Sequence, residues 1–306
     1  YRILKGGIMS QHPKGSSYQL FTVIERDPKV LFNMVEKGLK SYGVKFNDVE
    51  YYLPNQVNKA ESTIEDFVKE TSAEFPKVDL NSLYHWWAPV KQKPSWDLIS
   101  TCNVDGTKGI LLVEAKSHHG EMEAGGKTIV VDLSNKVITD EIKFLIKERF
   151  KTTALKLNLT AMELGHLMLI LNEHSLLDDK LLKSCIEKLR HHDEIGNAIS
   201  EARGALLHYC DNVSISRDNH YQLSNRIAYT WKLASMGIPT ILLYLGFTND
   251  PAWTSAQDHF ESKQQWNDAI KSYFTEVGAK DLLDKRRITL DNGISMCFYT
   301  GALEAE

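Results

Sequence analysis

The stretch SWDLISTCNVDGTKGILLVEAKSHHGE runs from Ser95 to Glu121. Its apolar residues mark two strands that ask for burial, yet Asp97, Glu114 and Lys116 stand where those strands end. The turn between them is legible. Val104-Asp105-Gly106-Thr107 carries the Asp-Gly pair that supplies the positive φ of a two-residue hairpin loop. With Asp105-Gly106 as the loop, Val104 pairs with Thr107, Thr101 with Ile110, Ile99 with Leu112 and Leu98 with Val113. The same register sets Asp97 opposite Glu114. Lys116, two residues further along, shares the face of Glu114, because side chains alternate along a strand. Both faces of the hairpin are largely apolar, so both should be covered.

Like charges directly opposed on a sheet are destabilising, and partial burial raises the pKa of one carboxylate unless something positive sits between them. Three arrangements would compensate. Lys116 could pair with both acids, one acid could stay protonated, or a divalent cation could bridge them. Hard oxygen donors suit Mg²⁺ or Mn²⁺, and a metal there would activate a water while Lys116 orients it or steadies charge on a phosphate. The plain alternative is a strand end at the surface with three solvated charges.

Asp97, a hairpin, and then Glu114-Ala115-Lys116 on an apolar strand resemble the PD-(D/E)XK nuclease superfamily, the restriction-endonuclease-like fold. The resemblance implies an α/β mixed-sheet core flanked by helices, with a helical insertion after the catalytic hairpin. It implies that Asp97 and Glu114 hold Mg²⁺ or Mn²⁺ and that nucleic acid, DNA before RNA, is hydrolysed by metal-activated water. It is close over the hairpin and looser through the later helix and strand up to Phe247. Trp96 precedes Asp97 where the superfamily commonly has Pro, with Pro94 two positions earlier. Some exonuclease branches carry Gln-x-x-x-Tyr on a following helix. Here Gln222 is followed four residues on by Arg226, a departure that leaves the branch unassigned. The i, i+4 spacing still sets Gln222 and Arg226 on one helix face, where with His220 they would meet phosphate or water. Superfamily members often add an acid from a preceding helix. Glu61, Glu65 and Glu70 are at hand, Glu65 being the named candidate. His118 and His119 follow Lys116, and His118 would continue its face.

Around the hairpin the sequence alternates helices and strands. Tyr18–Asp27 reads as a strand, and the segment from Pro28 to Gly43 as a helix with Pro at its start and Gly at its end. Ser62–Phe75 reads as a helix with a Ser62/Glu65 capping box. Lys127–Leu133 is a further strand, residues 139–209 look helical, and Asn219–Gly237 is a helix closed by Gly. The run PTILLYLGF, apolar without alternation, is a strand buried on both faces. One more helix near Gln257–Phe274 and a last strand over GISMCFYTG complete the chain. No linker divides it. A single nuclease-like domain over 1–306, with an α/β extension to about residue 58, is the expected organisation.

Residues 119–127, with Gly125-Gly126, read as a flexible stretch able to move over a substrate. Basic residues cluster at Lys143, Lys147, Arg149, Lys151 and Lys156, expected on one helix, and at Lys280, Lys285, Arg286 and Arg287. Either set could track a phosphate backbone. Trp86, Trp87 and Trp96 flank the hairpin, with core packing as their default role.

The 306 residues leave ample length for a core. A net charge of −4 argues against a protein that coats nucleic acid with its whole surface, though not against a local basic groove. The four cysteines form no CxxC pair, which disfavours a zinc knuckle and fits a reducing cytoplasm. No apolar run reaches the about 20 residues of a membrane span. The first ten residues lack the apolar core of a signal peptide. No complete phosphate-loop, G-x-S-x-G or HExxH motif is present. Competing with the nuclease are a nuclease-fold module that binds or scaffolds without cutting, and a metal enzyme acting on a small substrate. A homodimer or a partner protein stays open.

Overall fold

The described chain opens with two helices, α1 (Ser16–Arg26) and α2 (Lys29–Gly38). The structure is a computed structural model, and it describes residues 15–47, 50–55, 61–75, 79–87, 93–251 and 259–305. The first ten residues therefore lie outside the described part. The expected strand at Tyr18–Asp27 is helix α1 instead. Its β-branched and aromatic residues suggest a strand, but Leu20, Val23 and Ile24 are buried at i, i+3 and i+4, the helical spacing. Tertiary burial overrode local propensity.

Short strands β1 (Val44–Lys45), β2 (Tyr52–Leu53) and β3 (Ser62–Thr63) follow, then helices α3 (Ile64–Glu70) and α4 (Leu80–Trp86). The expected cap at Ser62/Glu65 is displaced by one residue. Ser62 is strand, and the Thr63 hydroxyl accepts the Asp66 N–H at 3.1 Å. Next come β4 (Ser95–Trp96) and the hairpin strands β5 (Leu98–Val104) and β6 (Thr107–Lys116). Their register runs from Val104↔Thr107 to Leu98↔Val113, as the turn dictates. Asp105 and Gly106 both have positive φ, the signature of this hairpin turn.

The rest is β7 (Ile129–Asp132), α5 (Asp140–Phe150), β8 (Lys156–Leu159), α6 (Ala161–Glu173), α7 (Asp179–Leu206), α8 (Tyr221–Ser235), β9 (Thr240–Thr248), α9 (Lys263–Glu276), α10 (Lys280–Lys285), β10 (Arg287–Thr289) and β11 (Ser295–Glu304). A curled mixed sheet of seven strands runs β1-β5-β6-β9-β11-β10, with β2 also on β5. β6, β9 and β11 are mutually parallel neighbours, and the flanking pairs are antiparallel. The parallel centre is buried on both faces, and every residue of β9 is buried.

Alternation divides the hairpin's apolar residues between two cores. Leu98, Leu111, Val113 and Ala115 pack with α1 and α2, through Leu20, Val23, Leu31 and Val35. Ile99, Ile110 and Leu112 pack with the layer of α3, α7, α8 and α9. Trp87 and Trp96 are fully buried in that second core, which fits their packing role. Truncating Leu112 to Ala there should cost about 2–5 kcal/mol.

Residues 139–209 are not all helical. β8 interrupts them and pairs antiparallel with β7, Ile129↔Leu159 through Asp132↔Lys156. The alternation of β8, with Leu157 and Leu159 buried and Lys156 and Asn158 exposed, is a strand's period. Lys156 thus belongs to a strand and Lys151 caps the end of α5. This β7–α5–β8–α6 unit, with the start of α7, has a third core of its own, including Ile129, Val131, Ile146, Leu157, Leu164 and Cys185. The four cysteines are free and buried. No helix among the described residues is long and apolar enough to cross a membrane.

Candidate active site

The end of β6 carries a buried ion network. Lys116 Nζ donates to Glu114 Oε1 at 2.7 Å, as neighbours on one strand face can. The other Glu114 oxygen, Oε2, accepts Arg226 Nε at 2.7 Å. Arg226 reaches in from α8, one turn after Gln222, whose Oε1 accepts the Lys116 ammonium at 2.9 Å. The expected i, i+4 pairing of Gln222 and Arg226 thus converges on the Glu114-Lys116 pair. The second arm of Arg226 donates to the Ser95 carbonyl at 2.7 Å, and its guanidinium lies 4.3 Å from the centre of the Trp96 ring. Glu114, Lys116 and Arg226 are 2, 5 and 7% exposed, so the charges act on one another with little water between them. Burial pushes the Glu114 carboxyl up, but Arg226 and then Lys116 outweigh it and hold its pKa below the ordinary carboxylate value.

Asp97 sits differently. The ladder stops at Leu98↔Val113, so the expected direct pairing of Asp97 with Glu114 does not form. Asp97 occupies a bend between β4 and β5, and its Oδ2 accepts the backbone N–H of Ala115 at 2.7 Å. Its Oδ1 accepts the Ser17 hydroxyl of α1 at 3.0 Å. No cation bonds it among the described residues. Burial first, and the Glu114 charge second, push its pKa up to about 7, against the smaller pull of Lys116. The two acids are therefore close enough to repel, although not paired across the ladder.

The accessory candidates fall elsewhere. Glu65 pairs with Lys93 at 2.8 Å. Glu61 accepts the Ser95 hydroxyl and adds negative potential at Asp97. Its proximity follows from the β3–β4 ladder, Ser62↔Trp96, which a local pattern does not reveal. His220 is the residue before α8, with positive φ, and its Nε2 bonds Glu276. His118 lies 3.8 Å from Glu121 and bridges to His259. Neither histidine joins the Lys116 network.

Gln222 and Arg226 line a cleft of about 1050 Å³ together with residues of β7 and α7. The stretch at 119–127, expected to move, is strapped down at its far end. Ala124 and Gly125 carbonyls accept the N–H groups of His220 and Tyr221, and Lys127 N–H donates to the Arg217 carbonyl. Gly126 approaches so closely that a Cβ there would stand 2.5 Å from the Asp218 carbonyl oxygen.

Comparison with protein-family models, curated proteins and solved structures finds no match to this chain. The chemistry therefore rests on the residues themselves. For Mg²⁺ or Mn²⁺ the donor set fits in kind: the acids offer only oxygen, and each bonded oxygen retains a second lone pair. Among the described residues no three His, Cys, Asp or Glu side chains group as a cage. Two carboxylates completed by water and phosphate oxygens are a mode that Mg²⁺ commonly uses.

Proposed function

We propose that this chain is a metal-dependent nuclease of the PD-(D/E)XK type, hydrolysing phosphodiester bonds in nucleic acid, DNA in the first instance. The observation that carries the reading is one convergence. Glu114, Lys116, Gln222 and Arg226 bond to one another, Gln222 and Arg226 also line a cleft, and Asp97 is within electrostatic reach. The central sheet, with its antiparallel hairpin beside parallel strands and helices on both faces, supports a restriction-endonuclease-like core.

Asp97 and Glu114 would hold Mg²⁺, which when bound lowers the pKa of a water and offsets charge on the phosphate. The Lys116 ammonium spends two of its three N–H donors on Glu114 and Gln222, and the third would serve an attacking water or a phosphate oxygen. The Gln222 amide oxygen holds that ammonium in place. Arg226 fixes the Glu114 carboxylate and is itself fixed by the Ser95 carbonyl and the Trp96 ring.

The test is cleavage of mixed DNA and RNA substrates with Mg²⁺ or Mn²⁺. Lys116→Ala and Glu114→Gln should each reduce the rate about 10²–10³-fold, the usual cost of removing one charge-stabilising group. Cleavage unchanged in both variants would remove these residues from the mechanism. A second reading, a nuclease-fold module that binds without cutting, is favoured by one observation. Both Glu114 oxygens already have cationic partners. That reading expects no heat on calorimetric titration with Mg²⁺, and binding indifferent to the metal.

A further inference from the structure

The basic clusters singled out in the sequence do not line the cleft. Lys143 pairs with Asp140, Arg149 bonds His166, Lys280 pairs with Asp284 and Arg287 with Asp105. The cleft has cations of its own, Lys93, Lys127, Lys188 and Arg226. Lys93 and Arg226 are matched by Glu65 and Glu114. Lys127 and Lys188 have no carboxylate in salt-bridge contact among the described residues. Lys188 Nζ donates to the Val130 carbonyl at 2.7 Å, and the Lys127 ammonium stands 5.0 Å from the centre of the Tyr221 ring.

Lys127 is also held firmly. Its N–H bonds the Arg217 carbonyl and its own carbonyl meets His192 Nε2 at 3.2 Å. Burial lowers its pKa, the mark of a cation lacking sufficient compensating charge. On the α8 wall, one residue from Arg226, the buried amide oxygen of Asn225 has no hydrogen-bond partner. Glu123 also lines the cleft and Asp132 lies within electrostatic reach of Lys188, but neither closes an ion pair with these lysines. An anion in contact with Lys127 and Lys188, and a donor for Asn225, are what this cleft lacks. A nucleic-acid strand carries both, in its phosphates and in the N–H donors of its bases.

We propose that the cleft between β7, α7 and α8 grips the sugar–phosphate backbone of the substrate strand, with Lys127 and Lys188 as phosphate contacts beyond the Asp97–Glu114 centre. This rests on the nuclease reading. It divides the labour: the central sheet and α8 bring the reacting groups, and the edge of the inserted β7–β8 unit brings the grip.

The experiment is fluorescence anisotropy of a labelled single DNA strand, a thymidylate homopolymer, in EDTA so that no cleavage intervenes. The intact wild-type chain is compared with Lys127→Gln/Lys188→Gln. A second variant, Thr128→Glu, adds a negative charge to the exposed cleft wall and removes no cation. Lys143→Gln/Lys147→Gln on α5 is the control, and far-UV circular dichroism checks folding of all. The cleft double variant should bind about 10-fold more weakly. Its salt slope should fall by about 1.4, at about 0.7 per lost phosphate contact on a single strand. Thr128→Glu should weaken binding, and the α5 control should not. Wild-type affinity and slope in both cleft variants would overturn the grip, and intact Mg²⁺-dependent cleavage would then leave the nuclease reading standing. Absence of both binding and cleavage in the wild type would overturn the two together.

Discussion

Glu114 and Asp97 lie at the end of the same hairpin, yet they are held in opposite ways. Glu114, deep on β6, has a cation on each oxygen and a pKa below the carboxylate norm. Asp97, in the bend before β5, has only neutral donors, a hydroxyl and a backbone N–H, and a pKa raised to about 7. One acid is electrostatically satisfied by the protein and the other is left in want of positive charge. The second position is where an added cation gains most, because it relieves both desolvation and the repulsion from Glu114.

The sharpest way to break this contrast is to strip Glu114 of its partner. Arg226→Ala leaves a buried carboxylate with Lys116 alone, and breaking a buried ion pair costs about 3–5 kcal/mol. A large fall in Tm is the expected result. Arg226→Lys keeps a charge but cannot bond the Glu114 oxygen and the Ser95 carbonyl with one planar group, so it should fall between wild type and Ala. An Arg226→Ala protein as stable as wild type would mean that Glu114 is not held by this pair.

Supplying the cation that Asp97 lacks is the next test. Mg²⁺ that binds only the folded chain stabilises it by about 2.7 kcal/mol at one hundred times its Kd. Wild type should show a rise in Tm with Mg²⁺, larger at pH 8 than at pH 5, because a protonated Asp97 competes with the metal. Asp97→Asn should lose most of that rise. A Tm insensitive to Mg²⁺ in wild type would favour the non-cutting module.

Part of this was legible in the primary structure, and the physics explains which part. The hairpin register follows from Asp105-Gly106, since that turn admits one pairing, and β9 from an apolar run too continuous for a half-exposed strand. The Lys116–Glu114 contact and the Gln222/Arg226 face follow from the periods of strand and helix. The position of Asp97 does not, because the ladder ends one pair early and the carboxylate is claimed by Ala115 and by Ser17, eighty residues away in sequence. α1 is not legible locally, because its β-branched residues carry a strand's propensity while its burial follows a helix. Lys127 and Lys188 carry no local signal at all; only the packing of β7 against α7 brings them to the cleft that Arg226 lines.

The smallest expected effect probes the asymmetry most directly. In the unfolded chain Asp97 titrates near 3.8, and in the fold near 7. Below the unfolded value both states hold the proton and Asp97 has no effect on stability. Between the two values the unfolded state loses the proton first, so stability falls as pH rises, and above about 7 the loss is complete. Glu114 has the opposite sign: its depressed pKa contributes stability above the unfolded value that is lost as pH falls through the folded one. Asp97→Asn removes the charge while its amide oxygen can still accept from Ala115, and the Ser17 hydroxyl can turn to accept from the amide nitrogen. In metal-free buffer the variant should match wild type near pH 4 and exceed it by a few degrees in Tm at pH 8. A variant less stable than wild type at pH 8 would show that ionised Asp97 is well accommodated without a metal, and the contrast with Glu114 would collapse.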